Sequence, residues 1–339
     1  MAQGFFPVPP LFLRVTFLMR MLLCVLAVGA AVLTGCQSSP SVPANAVHVF
    51  ILAGQSNMEG QGVVDMDHPR YYNGGKGNLL QSMAATPERY AHLKDAEGNW
   101  VVRDDVHVRF RNRQGVMAGG LTIGYTGYGS MDSRHHIGPE LQIGHRLGDA
   151  LEAPVLLVKT AWGGKSLFKN FRPPSAGGET GEFYTKMLAE VNEALDAVPE
   201  EFPQLAGRPL VVRGFVWFQG WNDMYDEDAR AQYEDNLVHL IGDVRAEYNT
   251  PRLPVIIGEL GNGGPEANDK MLAIRTAQQA AATRPELQGN VKFISTSAFA
   301  RPKDESPNIG HGHHWFGNAE SYFLIGDALG QGMVDLLQP

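Results

Sequence analysis

Four short polar segments could do chemistry, and each follows or precedes a stretch with a strong structural signature. In VHVFILAGQSNMEGQG the apolar run ends in Gly54-Gln55, and Ser56 stands at the turn into a helical pattern. A serine there can project its oxygen into a cleft while its own N–H faces a developing oxyanion. It can equally cap the helix, a role serine favours at helix starts. The segment lacks the GxSxG elbow, so it leaves both readings open by itself. Ala161-Trp162-Gly163-Gly164-Lys165 ends a second run. Paired glycines let backbone N–H groups approach a ligand, although glycines ending a strand often only turn the chain. Trp217-Phe218-Gln219-Gly220-Trp221-Asn222-Asp223 ends a third, and Asn222 offers either an amide donor to an oxyanion or a turn residue. Late in the chain, His311-Gly312-His313-His314-Trp315 precedes the last helical pattern. One of these histidines could act as base toward Ser56, because chain order does not define a triad. The three could instead bind a metal, but no carboxylate is spaced among them to complete a site.

The elements that must hold these segments alternate. Apolar, β-branched runs cover 47–54, 154–164, 210–220 and 253–261, with a shorter one at 291–297. Runs this continuous fit strands buried on both faces of a parallel sheet. Helical patterns fall between and after them, at 138–151, 183–195, 229–248, 268–283 and 318–337. The alternation predicts βαβ crossovers and an α/β fold, a three-layer α/β/α sandwich around a parallel sheet of about five strands. Ligands collect at the carboxyl ends of such strands, where the four segments lie. Residues 62–137 break the rhythm with glycine- and tyrosine-rich sequence, and read as an insertion that contributes to a substrate cleft.

Composition limits the partners. The 339 residues carry a formal charge of −8, more negative still without Arg14 and Arg20, and no basic run. That balance excludes nucleic acid, whose binding depends on cationic residues that release counterions. Residues 1–36 combine Arg14 and Arg20 with the apolar run MLLCVLAVGAAVL and end in LTGC. A charged start, a short apolar stretch and small residues describe a secretory signal, and the run is too short to span a bilayer. The LTGC ending resembles a bacterial lipobox, with Cys36 as the lipidated residue; Met19 or Met21 could be the true start. Residues 37–46 are then a tether, and 47–339 a single domain. The only other cysteine, Cys24, lies inside the leader, so the mature body has no thiol or disulfide. The expectation is an exported protein of the bacterial cell envelope, attached to a membrane by lipid.

Taken in order, the serine, glycine, asparagine and histidine segments resemble the SGNH hydrolases. The likeness is to the branch that holds sialate O-acetylesterase-like proteins and the family 6 carbohydrate esterases. AGQSNM is similar to that branch's first block, Gly163-Gly164 to its oxyanion glycine, and Gly220-Trp221-Asn222-Asp223 to its GxND block. His314, followed by WFGNAESYFLIGDALG, resembles its histidine block. The resemblance runs from about residue 47 to the end. It implies the flavodoxin-like fold of that superfamily and deacetylation of an O-acetylated sugar with no metal or cofactor. Ser56 would be nucleophile and His314 base, with His313 the other candidate; the Ser56 N–H, Gly163 or Gly164 and Asn222 would hold the oxyanion. Gln55, Gln219, Trp162, Trp221 and Trp315 would border the substrate. Two positions depart from the branch. Trp221 replaces a frequent glutamate, and His311 stands three residues before His314, where an aspartate is often found. Asp304 and Glu305 are the nearby candidates for the triad acid. Other readings are a lipase or thioesterase on the same fold, a glycan-binding protein without activity, and a metal-dependent hydrolase built on the histidines.

Overall fold

Alternate residues of strand β1 (Val47–Gly54) face two different cores. Val47, Val49, Ile51 and Ala53 join one apolar cluster, while Phe50 and Leu52 join another. A strand buried on both faces must lie inside a sheet covered on both sides, and the computed structural model shows such a sheet. It describes Met1, residues 42–127 and residues 134–338. The proposed leader, Cys36 and most of the tether lie outside the described residues, as do 128–133 of the predicted insertion. Val42–Pro339 forms one compact unit.

Among the described residues, the other strands are β2 (Gly62–Val63), β3 (Val106–Arg111), β4 (Val116–Gly120), β5 (His136–Ile137), β6 (Val155–Ala161), β7 (Leu210–Phe218), β8 (Val255–Gly258) and β9 (Val291–Ile294). The α-helices are α1 (Ser56–Glu59), α2 (Leu79–Ala85), α3 (Pro87–Tyr90), α4 (Glu140–Ala150), α5 (Glu182–Asp196), α6 (Val198–Glu201), α7 (Glu227–Glu247), α8 (Asp269–Ala282) and α9 (Ala319–Leu337). The main sheet has seven strands in the order β4-β3-β6-β1-β7-β8-β9, parallel except at the β3–β4 pair. Helices α5, α7 and α8 cover one face, and α4 and α9 the other, which is the three-layer α/β/α sandwich. Three of the long helices begin on a side chain that accepts a backbone N–H: Asp226 for α7, Asn268 for α8 and Asn318 for α9.

The sheet exceeds the expected five strands because the insertion is not all insertion. Its middle supplies β3 and β4 to the sheet edge beside β6. The signal was masked by polar residues: β3 reads VHVRFR, yet Arg109 is buried and its guanidinium is met by Glu193 of α5 and Glu201 of α6. A charged residue paired in this way is compatible with a buried strand.

One buried ion pair fixes the sheet to the segments above it. Lys159 of β6 and Glu140 at the start of α4 meet at 2.7 Å, both side chains 0% exposed. The Lys159 ammonium also donates to the carbonyls of Glu59, at the end of α1, and Tyr125, in the insertion. Glu140 accepts the Gly138 N–H in addition. Burial pulls both groups toward their neutral forms, and each charge holds the other ionised. Removing one partner leaves a buried charge unmatched, whereas removing both does not. Lys159→Met is therefore expected to lower unfolding stability by about 3–5 kcal/mol. Lys159→Met/Glu140→Leu should recover a large part of that loss. Denaturant unfolding of the three proteins checks this, and a double variant no better than the single one would contradict it.

Candidate active site

Strand register puts three of the four segments side by side. Gly54 of β1 pairs with Ala161 of β6 on one side and Phe218 of β7 on the other, so all three strands end at one level. The Gln55 N–H reaches the Phe218 carbonyl and the Trp162 N–H reaches that of Gly54. Gly54 has φ +154°, and a Cβ there would stand 2.2 Å from the Phe218 carbonyl oxygen, so the close approach needs glycine. Ser56 then begins α1 and is only 5% exposed. The capping position belongs to Gln55, so the helix-cap role considered for Ser56 is not realised. No hydrogen bond engages the Ser56 hydroxyl among the described residues.

Gln55 does not face a substrate. Its buried amide spans the cleft to the asparagine segment, accepting from the N–H groups of Gly220 and Asn222 through Oε1. Its Nε2 donates to Asn222 Oδ1 at 3.2 Å. With Oδ1 so occupied, the Asn222 NH2 is the end left to donate. Gln219 is likewise buried rather than substrate-facing. Its amide donates to the Lys165 carbonyl and the Asp223 carboxylate, and accepts from Tyr233. Asp223 is wholly buried and accepts the N–H groups of Leu167 and Phe168, each at 2.9 Å. Burial pushes its carboxyl up to about 6 against those three donors. Together Gln219 and Asp223 tie the loop after the paired glycines to the asparagine segment.

Of the two glycines, the structure separates the roles. The Gly163 N–H donates to Glu59 Oε1 at 3.0 Å, which takes it out of the expected oxyanion set. Gly164 has φ +74°, open space where a Cβ would be, and no partner for its N–H among the described residues. Gly164 is thus the glycine donor left for a ligand.

The histidine segment is held over the serine helix by neutral amides. Asn57 donates to the His313 carbonyl at 3.1 Å and to Asn262, and accepts from the Tyr322 hydroxyl at 2.9 Å. Asn262 donates to the carbonyls of Gly312 and His313. Gln61 meets Nε2 of His314 at 3.2 Å, donating to the ring or, turned over, accepting from it. Trp315 and Phe316 both adopt φ +53°, a left-handed conformation costly for such side chains, and so turn the chain sharply after His314. The turn is closed by Phe316 N–H to the His311 carbonyl and Asn308 N–H to the Phe316 carbonyl. It also sends Trp315 into the core at 2% exposure, so Trp315 is no sugar platform.

His314 is 8% exposed, and burial, then His313 and His311, lower it to about 3. It is therefore neutral at physiological pH and able to accept a proton. His313, lowered by burial and then by His311, is more open and faces Trp221 at 5.9 Å between ring centroids. Asp304 and Glu305 do not orient His314: both are exposed on a 3-10 turn, and Asn73 and Lys76 bind the Asp304 backbone carbonyl. Trp162 packs on Phe171 and Phe183 and lines a cleft of about 310 Å³ with Gly163, Lys165 and Glu190. Sequence reasoning missed Asn57, Gln61, Asp223 and Asn262 as holders of the site. Asn262 lies just beyond the end of β8, a strand end that the same rule could have flagged.

Comparison with known proteins gives a family and a likeness of fold. The model of the family described as carbohydrate esterase, sialic acid-specific acetylesterase, matches residues 46–332. A probable carbohydrate esterase of Arabidopsis thaliana is 25% identical over 227 residues, covering 66% of this chain and 72% of that protein. A solved structure of a protein from Arabidopsis thaliana superposes with a TM-score of 0.54 at 17% identity, over 86% of this chain and 98% of its own, a likeness of fold. A carbohydrate acetylesterase from Xanthomonas citri is looser, with a TM-score of 0.46 at 17% identity over 84% of this chain and 56% of its own.

The depressed His314 value has two measurable consequences. Its ring resonances in a pH titration should stay those of neutral imidazole from pH 8 down to about 4, with titration only below the ordinary histidine range. A histidine whose folded value lies below its unfolded 6.5 binds its proton more readily when unfolded. Its contribution is thus fully present above 6.5 and is lost as pH falls toward 3, and His145, lowered to about 4, adds in the same direction. A midpoint titration near 6.5 for His314 would contradict the burial argument.

Proposed function

The chain belongs to the sialic acid-specific acetylesterase family of carbohydrate esterases, and from that premise we propose that it removes O-acetyl groups from a sugar through an acetyl-enzyme on Ser56. It is a carboxylic ester hydrolase; the mechanism and the acetylated substrate are our reading. One observation carries it. The residues flanking Ser56 hold the Asn222 amide on one side, through Gln55, and the His314 segment on the other, through Asn57 and Gln61.

In the proposed reaction His314 takes the Ser56 proton as the serine oxygen attacks the acetyl carbonyl. The N–H groups of Ser56 and Gly164 and the Asn222 amide hold the oxyanion. His314 returns its proton to the departing sugar hydroxyl, and water then repeats the cycle on the acetyl-enzyme. The cleft beside Gly163 supports a sugar substrate, because it combines the Trp162 and Phe183 rings with polar and charged side chains. Trp221 and Tyr225, edge to face with ring centroids 6.1 Å apart, offer a second aromatic surface near His313.

Acetate release from a panel of acetylated glycans, set against long-chain acyl esters, tests this. The expected result is hydrolysis of acetyl esters that is abolished in Ser56→Ala, with Asn222→Ala lowering turnover by about 10²–10³-fold. Preference for long acyl chains would replace the carbohydrate reading with a lipase one. Turnover surviving in Ser56→Ala would remove the serine from the mechanism.

We also propose that the protein is exported and anchored in the bacterial cell envelope through lipid on Cys36, motivated by the LTGC ending of the leader. Metabolic labelling with a palmitate analogue in a bacterial host should mark the wild type and not Cys36→Ala. Equal labelling of both would end that assignment.

A further inference from the structure

The three histidines before α9 are gathered more closely than a single base requires. One ligating nitrogen from each of His311, His313 and His314 lies within 4.8 Å of the other two. The rings of His313 and His314 are 4.0 Å apart by centroid, and His311 lies 5.3 Å from His313 and 5.9 Å from His314. The crowding follows from the His-Gly-His-His sequence of this chain, with His311 standing where an acid was expected. The segment is also rigidly supported. Asn57 and Asn262 fix the carbonyls of Gly312 and His313, and two left-handed residues turn the chain immediately afterwards.

We propose that His311, His313 and His314 form a binding site for a divalent transition-metal ion such as Zn²⁺, and that its occupancy switches the esterase off. Three imidazole nitrogens with a fourth position open are a donor set that selects zinc, cobalt, nickel or copper over magnesium and calcium. Zinc–nitrogen bonds of about 2.0–2.1 Å place tetrahedral ligand nitrogens about 3.4 Å apart. Closing the present spacing therefore takes movement on the order of 1 Å, which the exposed His311 ring can supply. Asn308 meets Nδ1 of His311 at 3.1 Å. That contact leaves Nε2 to the metal, and with the amide turned over its carbonyl accepts the Nδ1 proton, the outer hydrogen bond that metal-bound imidazoles use.

The inhibitory consequence rests on the proposed role of His314 as base, whereas the binding site does not. An imidazole whose lone pair is on a metal cannot take the Ser56 proton. The ion would thus compete with catalysis at one side chain while leaving the fold, the oxyanion donors and the cleft in place.

Binding and inhibition are measured separately. The metal-stripped full chain is titrated with ZnCl2 by calorimetry, and with Co²⁺ as a visible-absorption probe, followed by acetyl-ester hydrolysis at each occupancy. The expected result is one saturable site, weakened by about tenfold or more in His311→Ala and in His313→Ala and unchanged in Ser56→Ala. Hydrolysis should fall in step with occupancy and return on adding a chelator. No saturable binding, or equal binding by His311→Ala/His313→Ala of wild-type circular dichroism, overturns the site. Binding at the cluster with undiminished or increased hydrolysis overturns the inhibitory role and, with it, the assignment of His314 as base. A metal-free wild type inactive on every acetyl ester would instead count against the esterase mechanism, with the titration still deciding the site.

Discussion

The Lys159 ammonium is the point on which the site's architecture depends. It lies wholly inside the protein, and its three hydrogen-bond acceptors come from three parts of the chain: the Glu140 carboxylate, the Glu59 carbonyl and the Tyr125 carbonyl. A buried cation tolerates no vacancy among its partners, because an unmatched charge in a low-dielectric interior costs several kcal/mol. Each acceptor must therefore be delivered to a fixed place. Fixing Glu59 fixes the end of the four-residue helix that begins with Ser56. A helix that short has little stability of its own, so its position must come from tertiary contacts. Glu59 then passes the constraint onward, since its carboxylate receives the Gly163 N–H and sets where the glycine turn can lie.

The electrostatics of the histidine segment follow a different logic. A triad carboxylate stabilises the imidazolium that forms when serine gives up its proton. Here burial, His313 and His311 all act against that cation. If His314 is the base, the oxyanion that forms opposite Asn222 and Gly164 brings an opposing charge with the reaction itself. The attraction would exist only when both charges do, which is the condition for stabilising a transition state without stabilising the ground state.

Much of the fold was legible in the sequence because buried parallel strands read as continuous apolar runs. The predicted runs at 47–54 and 210–220 correspond to β1 and β7, and the helical patterns to α4, α5, α7, α8 and α9 within about two residues at either end. WVVRDDVHVRF reads as a short strand-like piece and contains most of β3, but the place of β3 and β4 in the main sheet was not legible, because Arg109 looks like a solvent-facing residue until its partners on α5 and α6 are known. At the site, the four segments and their order could be read from residue types at strand ends. The division of labour within them could not. Gly163 and Gly164 are identical in sequence terms, and only the Glu59 contact separates them. Gln55 and Gln219 have the composition of substrate-binding residues, yet their long-range partners consume both ends of each amide.

Those partners share a property that bears on the chemistry. Apart from Asp223 and Glu59, whose carboxylate receives the Gly163 N–H, the side chains that pin the serine, glycine, asparagine and histidine segments to each other are Gln55, Asn57, Gln61, Gln219, Asn262 and Tyr322, none of them charged. An amide both donates and accepts, so it can bridge two loops without placing a net charge beside the reacting atoms. A lysine or glutamate in the same role would add a field of several kcal/mol at such distances in a partly dry site. That field would favour one protonation state of His314 over the other, or oppose the oxyanion outright. Asp223 obeys the same restriction by a different route: it is enclosed, and its negative charge is met by two backbone N–H groups and the Gln219 amide. Glu59 apart, the framework can thus be rigid while adding little net charge beside the reacting atoms.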